Sequence, residues 1–162
     1  MEPVRYVERL NQRYRQQGFP PYQWTVNREA PFTPLRKPLA RCRVSLLTSG
    51  GVSHCSAAPW NPDARNDFRL DEIAAGAEGA AFQVHDSYYD TRSAQEDVNC
   101  LFPIDRLREL AAEGAIGEIA PHHYSGFMGR IYKRSHVTDV AAPALAAALA
   151  REGVDLFVLV PA

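Results

Sequence analysis

The side chains of this chain that could do chemistry, five histidines and three cysteines among them, gather mainly in three short polar stretches. The first, TSGGVSHC at 48–55, carries adjacent glycines whose backbone N–H groups can approach an anion closely. Ser49, Gly50 and Gly51 are therefore candidate binding residues for a carboxylate or phosphate, although a tight turn needing positive φ explains the glycines equally well. The second, HDSYYDTRSAQEDVNC at 85–100, sets His85, Asp86 and Asp90 around Tyr88 and Tyr89. A histidine beside carboxylates can move protons near neutral pH, or ligate a metal with a carboxylate behind it. The bland alternative is a solvated loop whose Asp side chains fold back onto their own backbone. The third stretch, PHHYSGFMGRIYKRSH at 121–136, adds His122, His123, Tyr124 and Ser125. Adjacent side chains of an extended chain point to opposite sides, so at most one of the two histidines reaches a shared site.

The cysteines at 42, 55 and 100 are odd in number and lack CxxC spacing, so they indicate neither a disulfide framework nor a zinc ribbon. Cys42 and Cys100 read as small packed hydrophobes, while Cys55, beside His54, reads as an exposed thiol that a neighbour could activate. His54, His85 and His122 match no standard metal-ligand spacing, so the expected site contains no metal. A metal-dependent or acid–base enzyme built on those three histidines stays as an alternative. The net charge of −1 and pI near 6.5 give no reason to expect nucleic acid or an anionic membrane surface as partner. The start, MEPVRYVERL, lacks a signal-peptide core, no run is of membrane-spanning length, and a reduced cytoplasmic compartment is expected.

The elements that must position these residues follow from periodicity. A helix opens near Pro3, with Val4, Val7, Leu10 and Tyr14 on one face, and Gly18, Pro20 and Pro21 stop it. Five prolines and the aromatic residues Tyr22, Trp24 and Phe32 mark 19–39 as an ordered arm wrapped over the rest. The division is thus helix and arm over 1–40, and an α/β domain over 41–162. Strands are expected at Val44–Leu47, Phe82–Val84, Ile116–Ile119 and Leu156–Val160, with a Gly-rich loop from Pro121. Helices are expected over 103–114 and 138–153, the latter capped by Thr138. That alternation predicts a three-layer, Rossmann- or flavodoxin-like α/β fold with a mainly parallel sheet of about four strands. Ligands of such sheets sit beyond the strands' carboxyl ends, where 49–52, 85–90 and 122–125 are expected to converge.

Four stretches in order, LLTSGGV, HDSYYD, EDVNCLFPIDRLRELAAEGAIG and HHYSGFMG, resemble the glycine/sarcosine/betaine reductase component B and D-proline reductase selenoprotein family. The likeness runs from about Arg41 onward, and its long central motif is the specific part. The resemblance implies a selenol- or thiol-dependent reductase that cleaves a C–N bond of an amino acid or derivative. It implies partner subunits, one bearing a pyruvoyl group, and a dithiol as electron donor. Family members continue from the last strand into a (Sec or Cys)-x-x-Cys loop, so the chain is expected to be an amino-terminal fragment, inactive alone, with its selenocysteine or cysteine pair after Ala162. The free strand at 156–160 should then expose an apolar patch. On this reading His85, Asp86, Tyr124 and Cys55 surround the reaction, and Ser49, Gly50, Gly51, Asp90, His122 and Ser125 contact substrate. No cofactor is expected within the segment itself. A non-catalytic subunit docking onto a reductase partner is the remaining alternative.

Overall fold

The computed structural model describes residues 3–22, 26, 28, 29, 31, 33–78 and 81–162, which fall into two compact units, Met1–Pro34 and Leu35–Ala162. In the first unit, helix α1 (Tyr6–Gln16) begins three residues later than Pro3 suggested, with Arg5 at its N-cap. Gly18, at φ +76°, ends it by turning the chain back. The Tyr14 ring then meets Phe19 at 6.0 Å and Tyr22 at 5.9 Å between centroids, and Asn11 accepts the Tyr22 N–H at 2.9 Å. Part of the aromatic arm thus folds onto α1. Trp24 and Phe32, which were to seat it elsewhere, lie outside the described residues.

The second unit contains strands β1 (Arg43–Thr48), β2 (Val52–His54), β3 (Leu70–Ala74), β4 (Phe82–Val84), β5 (Glu118–Ile119), β6 (His122–Gly126) and β7 (Leu156–Val160). Its helices are α2 (Arg92–Glu96), α3 (Ile104–Ala112), α4 (Arg134–His136) and α5 (Ala142–Arg151). β1 is the centre of the main sheet, and Val44 through Thr48 are all buried. On one side it pairs in parallel with β7, from Val44↔Leu156 to Thr48↔Val160. On the other side β5 and β6 follow one another, both parallel to β1, and β3 closes that edge antiparallel to β6. A strand buried on both faces needs an apolar run rather than alternation, which is what VSLL supplies. β3 carries Asp71 and Glu72 and buries only Ile73, the composition of a protected edge.

Helices cover both faces. Ile104 and Leu107 of α3, with Phe102, pack on Val44, Leu46, Leu156 and Val158; Leu145 and Leu149 of α5 pack on Leu47, Tyr124 and Phe157. The fold is α/β, and the main sheet is mixed: mainly parallel, as expected, with β3 antiparallel at its edge. Phe82–Val84 is a strand outside it, paired antiparallel with β2 in a separate two-stranded ribbon. The residues read as a Gly-rich loop from Pro121 instead supply β6. The last helix starts earlier than expected: α4 runs through a π turn (Val137–Ala141) into α5. Pro143 cannot offer the N–H that Asp139 would receive, which accounts for the π turn just before it. Thr138 is consequently no cap, and its hydroxyl bonds back to the Ser135 carbonyl at 3.2 Å. Cys42 is buried as expected, whereas Cys100 is exposed because it sits on the outer side of the short 3₁₀ turn Val98–Cys100.

Candidate functional site

The chain leaves β1 through Thr48 and turns at Gly51, whose φ is +67°. A Cβ at Gly51 would lie 2.2 Å from the His85 carbonyl oxygen and 3.1 Å from the Met128 methyl. Only glycine permits that approach. The His85 N–H donates to the Gly51 carbonyl at 2.9 Å, and the Tyr89 hydroxyl donates to the Gly50 carbonyl at 2.6 Å. Gly129 lies against the Tyr88 ring, 3.0 Å from where its Cβ would stand. Ser125 is in register with Thr48. The turn at 49–51, the loop from His85 and the residues from Ser125 therefore meet at the carboxyl ends of β1 and β6. Burial and the nearby Asp86 push the Tyr89 phenol up to about 12, so Tyr89 stays a neutral donor.

Within this cluster several groups are already engaged. The Ser49 N–H donates to the Val160 carbonyl at 3.3 Å and the Gly50 N–H to the Thr48 hydroxyl at 3.1 Å. An anion could thus draw on few amides of this turn. Asp86 accepts the Tyr88 N–H at 2.7 Å, the local turn geometry that its sequence also allowed. Exposed Asp90 is paired with Arg92 at 2.5 Å, whose guanidinium hydrogen bonds hold the carboxyl below the usual range. Three buried polar atoms near the turn have no protein partner: Ser53 Oγ, His85 Nδ1 and Ser125 Oγ. Each is a buried polar atom whose hydrogen-bonding capacity the protein leaves unmet.

The remaining candidates lie elsewhere. Tyr124 is in register with Leu47 and packs edge-on to Phe157 at 6.4 Å on the α5 face, the side opposite to Ser125. Its hydroxyl is buried without a partner, and burial pushes the phenol up. His122 stands at the opposite end of β6, about 10 Å along the strand from Ser125 by strand rise. Its Nδ1 meets Glu152 at 2.5 Å and its Nε2 meets Glu72 at 3.4 Å. His123 is fully buried; burial lowers it to about 4, with the Arg108 charge adding to the effect. Cys55 is exposed beyond β2, and the neighbouring His54 turns its Nδ1 to the Ser56 hydroxyl at 2.7 Å rather than to the thiol. Among the described residues no three His, Cys, Asp or Glu side chains could together hold a metal, so the three-histidine alternative finds no ligand set. No helix among them is long and apolar enough to cross a membrane.

Beside the cluster, α5 and β7 leave an apolar cleft of about 450 Å³ lined by Leu145, Leu149, Phe157, Leu159 and Val160, with Ser49 at its rim. Leu159 is 64% exposed and β7 pairs only with β1 among the described residues. The model of the glycine/sarcosine/betaine reductase selenoprotein B (GRDB) family matches residues 5–162. The chain belongs to that family. A curated relative, the D-proline reductase subunit gamma of Acetoanaerobium sticklandii, is 34% identical over 128 residues, 79% of this chain and 52% of the relative. The glycine reductase complex component B subunit gamma of Carboxydothermus hydrogenoformans is 29% identical over 143 residues, 80% of this chain and 30% of that protein. The namesake subunit of Peptoclostridium acidaminophilum is 28% identical over 100 residues, 55% of this chain and 21% of its own length. The chain thus spans about half or less of the curated relatives it matches, and no solved structure matches it.

The stretch that most resembles the selenoprotein B family, EDVNCLFPIDRLREL, builds a brace beside the cluster. Asp97 accepts from Asn99, whose amide N–H₂ reaches Asp105 at 2.9 Å, and Asp105 pairs with Arg108. Arg108 in turn donates to the carbonyls of Ala75 and Ala77, fastening the exit of β3 to α3. Sequence reasoning passed over Tyr89, Met128, Ser53 and this Arg108. Only Tyr89 had a signal, its place inside HDSYYD, and nothing in that pattern says which tyrosine turns inward.

Proposed function

We propose that this chain forms the surroundings of the reacting atom in a selenol- or thiol-dependent reductase that cleaves a C–N bond of an amino acid or derivative, in a complex with other reductase subunits. Membership of the selenoprotein B family over residues 5–162 carries the reading. The meeting of Gly51, His85 and Ser125 at the strand ends supports it, because chemistry in α/β sheets collects there. His85 is the proposed proton carrier, since its Nδ1 is buried and free. Ser125 and the Ser49–Gly51 turn contact the substrate, and Asp86 and Tyr89 hold the loop that carries His85. Breaking the C–N bond consumes two electrons and two protons, one proton going to carbon and one to nitrogen, while a dithiol is oxidised to a disulfide. Cys42 is buried and Cys55 and Cys100 are free, with no disulfide between them. The reacting selenocysteine or cysteine pair, which the family resemblance implies, is proposed outside the described residues, and the pyruvoyl group that holds the substrate amine on a partner subunit.

The test is an assay of the complex purified with this chain at its full natural length. Glycine, sarcosine, betaine and D-proline are offered with a dithiol, and dithiol oxidation and the reduced product are followed. Turnover of one of them, with His85→Ala lowering kcat about 100-fold or more, is the expected result. Turnover of none sinks the reading. A second reading, a non-catalytic subunit docked on a reductase partner, is favoured by the open edge of β7 and the apolar cleft beside it. It predicts full turnover with His85→Ala, and loss of co-purification of the partner with Leu159→Asp.

A further inference from the structure

Both nitrogens of the His122 ring face carboxylate oxygens, Nδ1 toward Glu152 at 2.5 Å and Nε2 toward Glu72 at 3.4 Å. A carboxylate only accepts, and a neutral imidazole donates from one nitrogen alone. Only the imidazolium serves both contacts. The three residues come from three elements: His122 opens β6, Glu72 lies on β3, and Glu152 is the C-cap of α5. We propose that His122 is a proton-operated clasp, which as imidazolium ties β3 and the end of α5 to β6 and on deprotonation releases one of them. The inference does not depend on the reductase reading.

The other charged and titratable groups around the clasp leave this assignment intact. On β6 itself the neighbours are His123, buried and held neutral, and Tyr124, a buried phenol. From β1, the Arg43 guanidinium is turned to the Glu152 main-chain carbonyl and to Glu118 of β5, not to the Glu152 carboxylate. Arg151 ends α5 beside Glu152, and its charge reaches Tyr124. The second oxygen of Glu152 is buried without a partner, so His122 is the Glu152 carboxylate's hydrogen-bond donor among the described residues. The hydrogen bond from His122 to Glu152, with Glu72 adding to it, raises His122 above the ordinary histidine value. The sign follows: the clasp is closed below about pH 6.5 and is lost as pH rises through the higher folded value. α5 runs opposite to the strands, so its clasped end is remote from the Gly51 cluster, and its side chains line the apolar cleft. A neutral ring keeps one donor, and the short Nδ1 contact retains it for Glu152, so deprotonation leaves the α5 end held and frees Glu72 and with it the β3 edge.

Titration of the ring resonances of the whole protein by NMR tests this, with His122→Gln identifying the signal. The His122 midpoint should lie above about 6.5, drop with Glu152→Gln, and drop less with Glu72→Gln. A midpoint at or below 6.5, or one unmoved by Glu152→Gln, overturns the clasp. Amide exchange supplies an independent reading that survives if a variant is less stable. The Ala75 N–H at the exit of β3 bonds to the Pro121 carbonyl beside His122 at 2.8 Å. Its protection, corrected for the intrinsic pH dependence of exchange, should fall above the midpoint in the natural chain and stay level in His122→Gln. Equal pH dependence in both proteins also overturns the proposal.

Discussion

Gly51 is constrained twice, by a φ of +67° and by a His85 carbonyl oxygen 2.2 Å from where a Cβ would stand. Gly51→Ala should therefore cost about 2 kcal/mol or more, through left-handed backbone strain and a clash with main chain that cannot yield. Denaturant unfolding measures it, and a loss under about 0.5 kcal/mol would show that the turn relaxes freely. Tyr89→Phe removes the donor to Gly50 and should cost about 1 kcal/mol while loosening the loop that carries His85. His123 makes a contrasting prediction. Its folded value of about 4 lies below the ordinary 6.5 because burial penalises the charged ring. Its contribution is complete above about pH 6.5 and is lost as pH falls toward 4. His123→Asn, which keeps an acceptor for the Leu46 N–H, should flatten the pH dependence of the unfolding midpoint across that window. The sequence made the glycine turn and His85 legible because their residue types are restrictive. It could not separate His122 from His123, since which of two adjacent rings is buried depends on β1 and Phe102, far away in sequence.

At the scale of elements, α3 is held by its brace as much as by its apolar face. Arg108→Leu would strip the Ala75 and Ala77 carbonyls of a charged donor and leave Asp105 without its cation. A loss of about 2–3 kcal/mol is expected, since hydrogen bonds to charged groups are the stronger ones. Hydrogen exchange should report the loss first at β3, whose exit the arginine holds. If exchange there is unchanged, Arg108 is a surface ion pair and no brace. Strand β1 was legible as an apolar run and α3 as an apolar stripe between Pro103 and Gly114. β6 was not, because HHYSG offers no β-branched residue and is held in place by its neighbours, with Ser125 paired to Thr48 and His123 to Ile73. β4 was found as a strand but assigned to the wrong sheet, for three residues carry no sign of which partner they take.

Across the Leu35–Ala162 unit the two adjacent histidines act on stability in opposite directions. His123 erodes it as pH falls below about 6.5, and His122 erodes it as pH rises through its elevated value. Stability should therefore peak near neutrality, with His122→Gln removing the alkaline shoulder and His123→Asn the acid one. A profile in which neither variant changes its own side contradicts both assignments. The burial of β1 between distant partners has a further consequence, for the timing of folding. Arg43 meets Glu118 at a separation of 75 residues and Asp155 at 112. The sheet's central strand thus has no local partner and must close very long loops before any pairing repays the cost. During synthesis, at ribosomal rates of 5–20 residues per second, β1 would wait roughly 6–22 s for β7 to be made. Until β5 and β6 emerge within that interval VSLL is an unpaired apolar segment, and until β7 emerges one of its edges stays open, so folding yield should depend on holdase chaperones and on synthesis rate more steeply than equilibrium stability does.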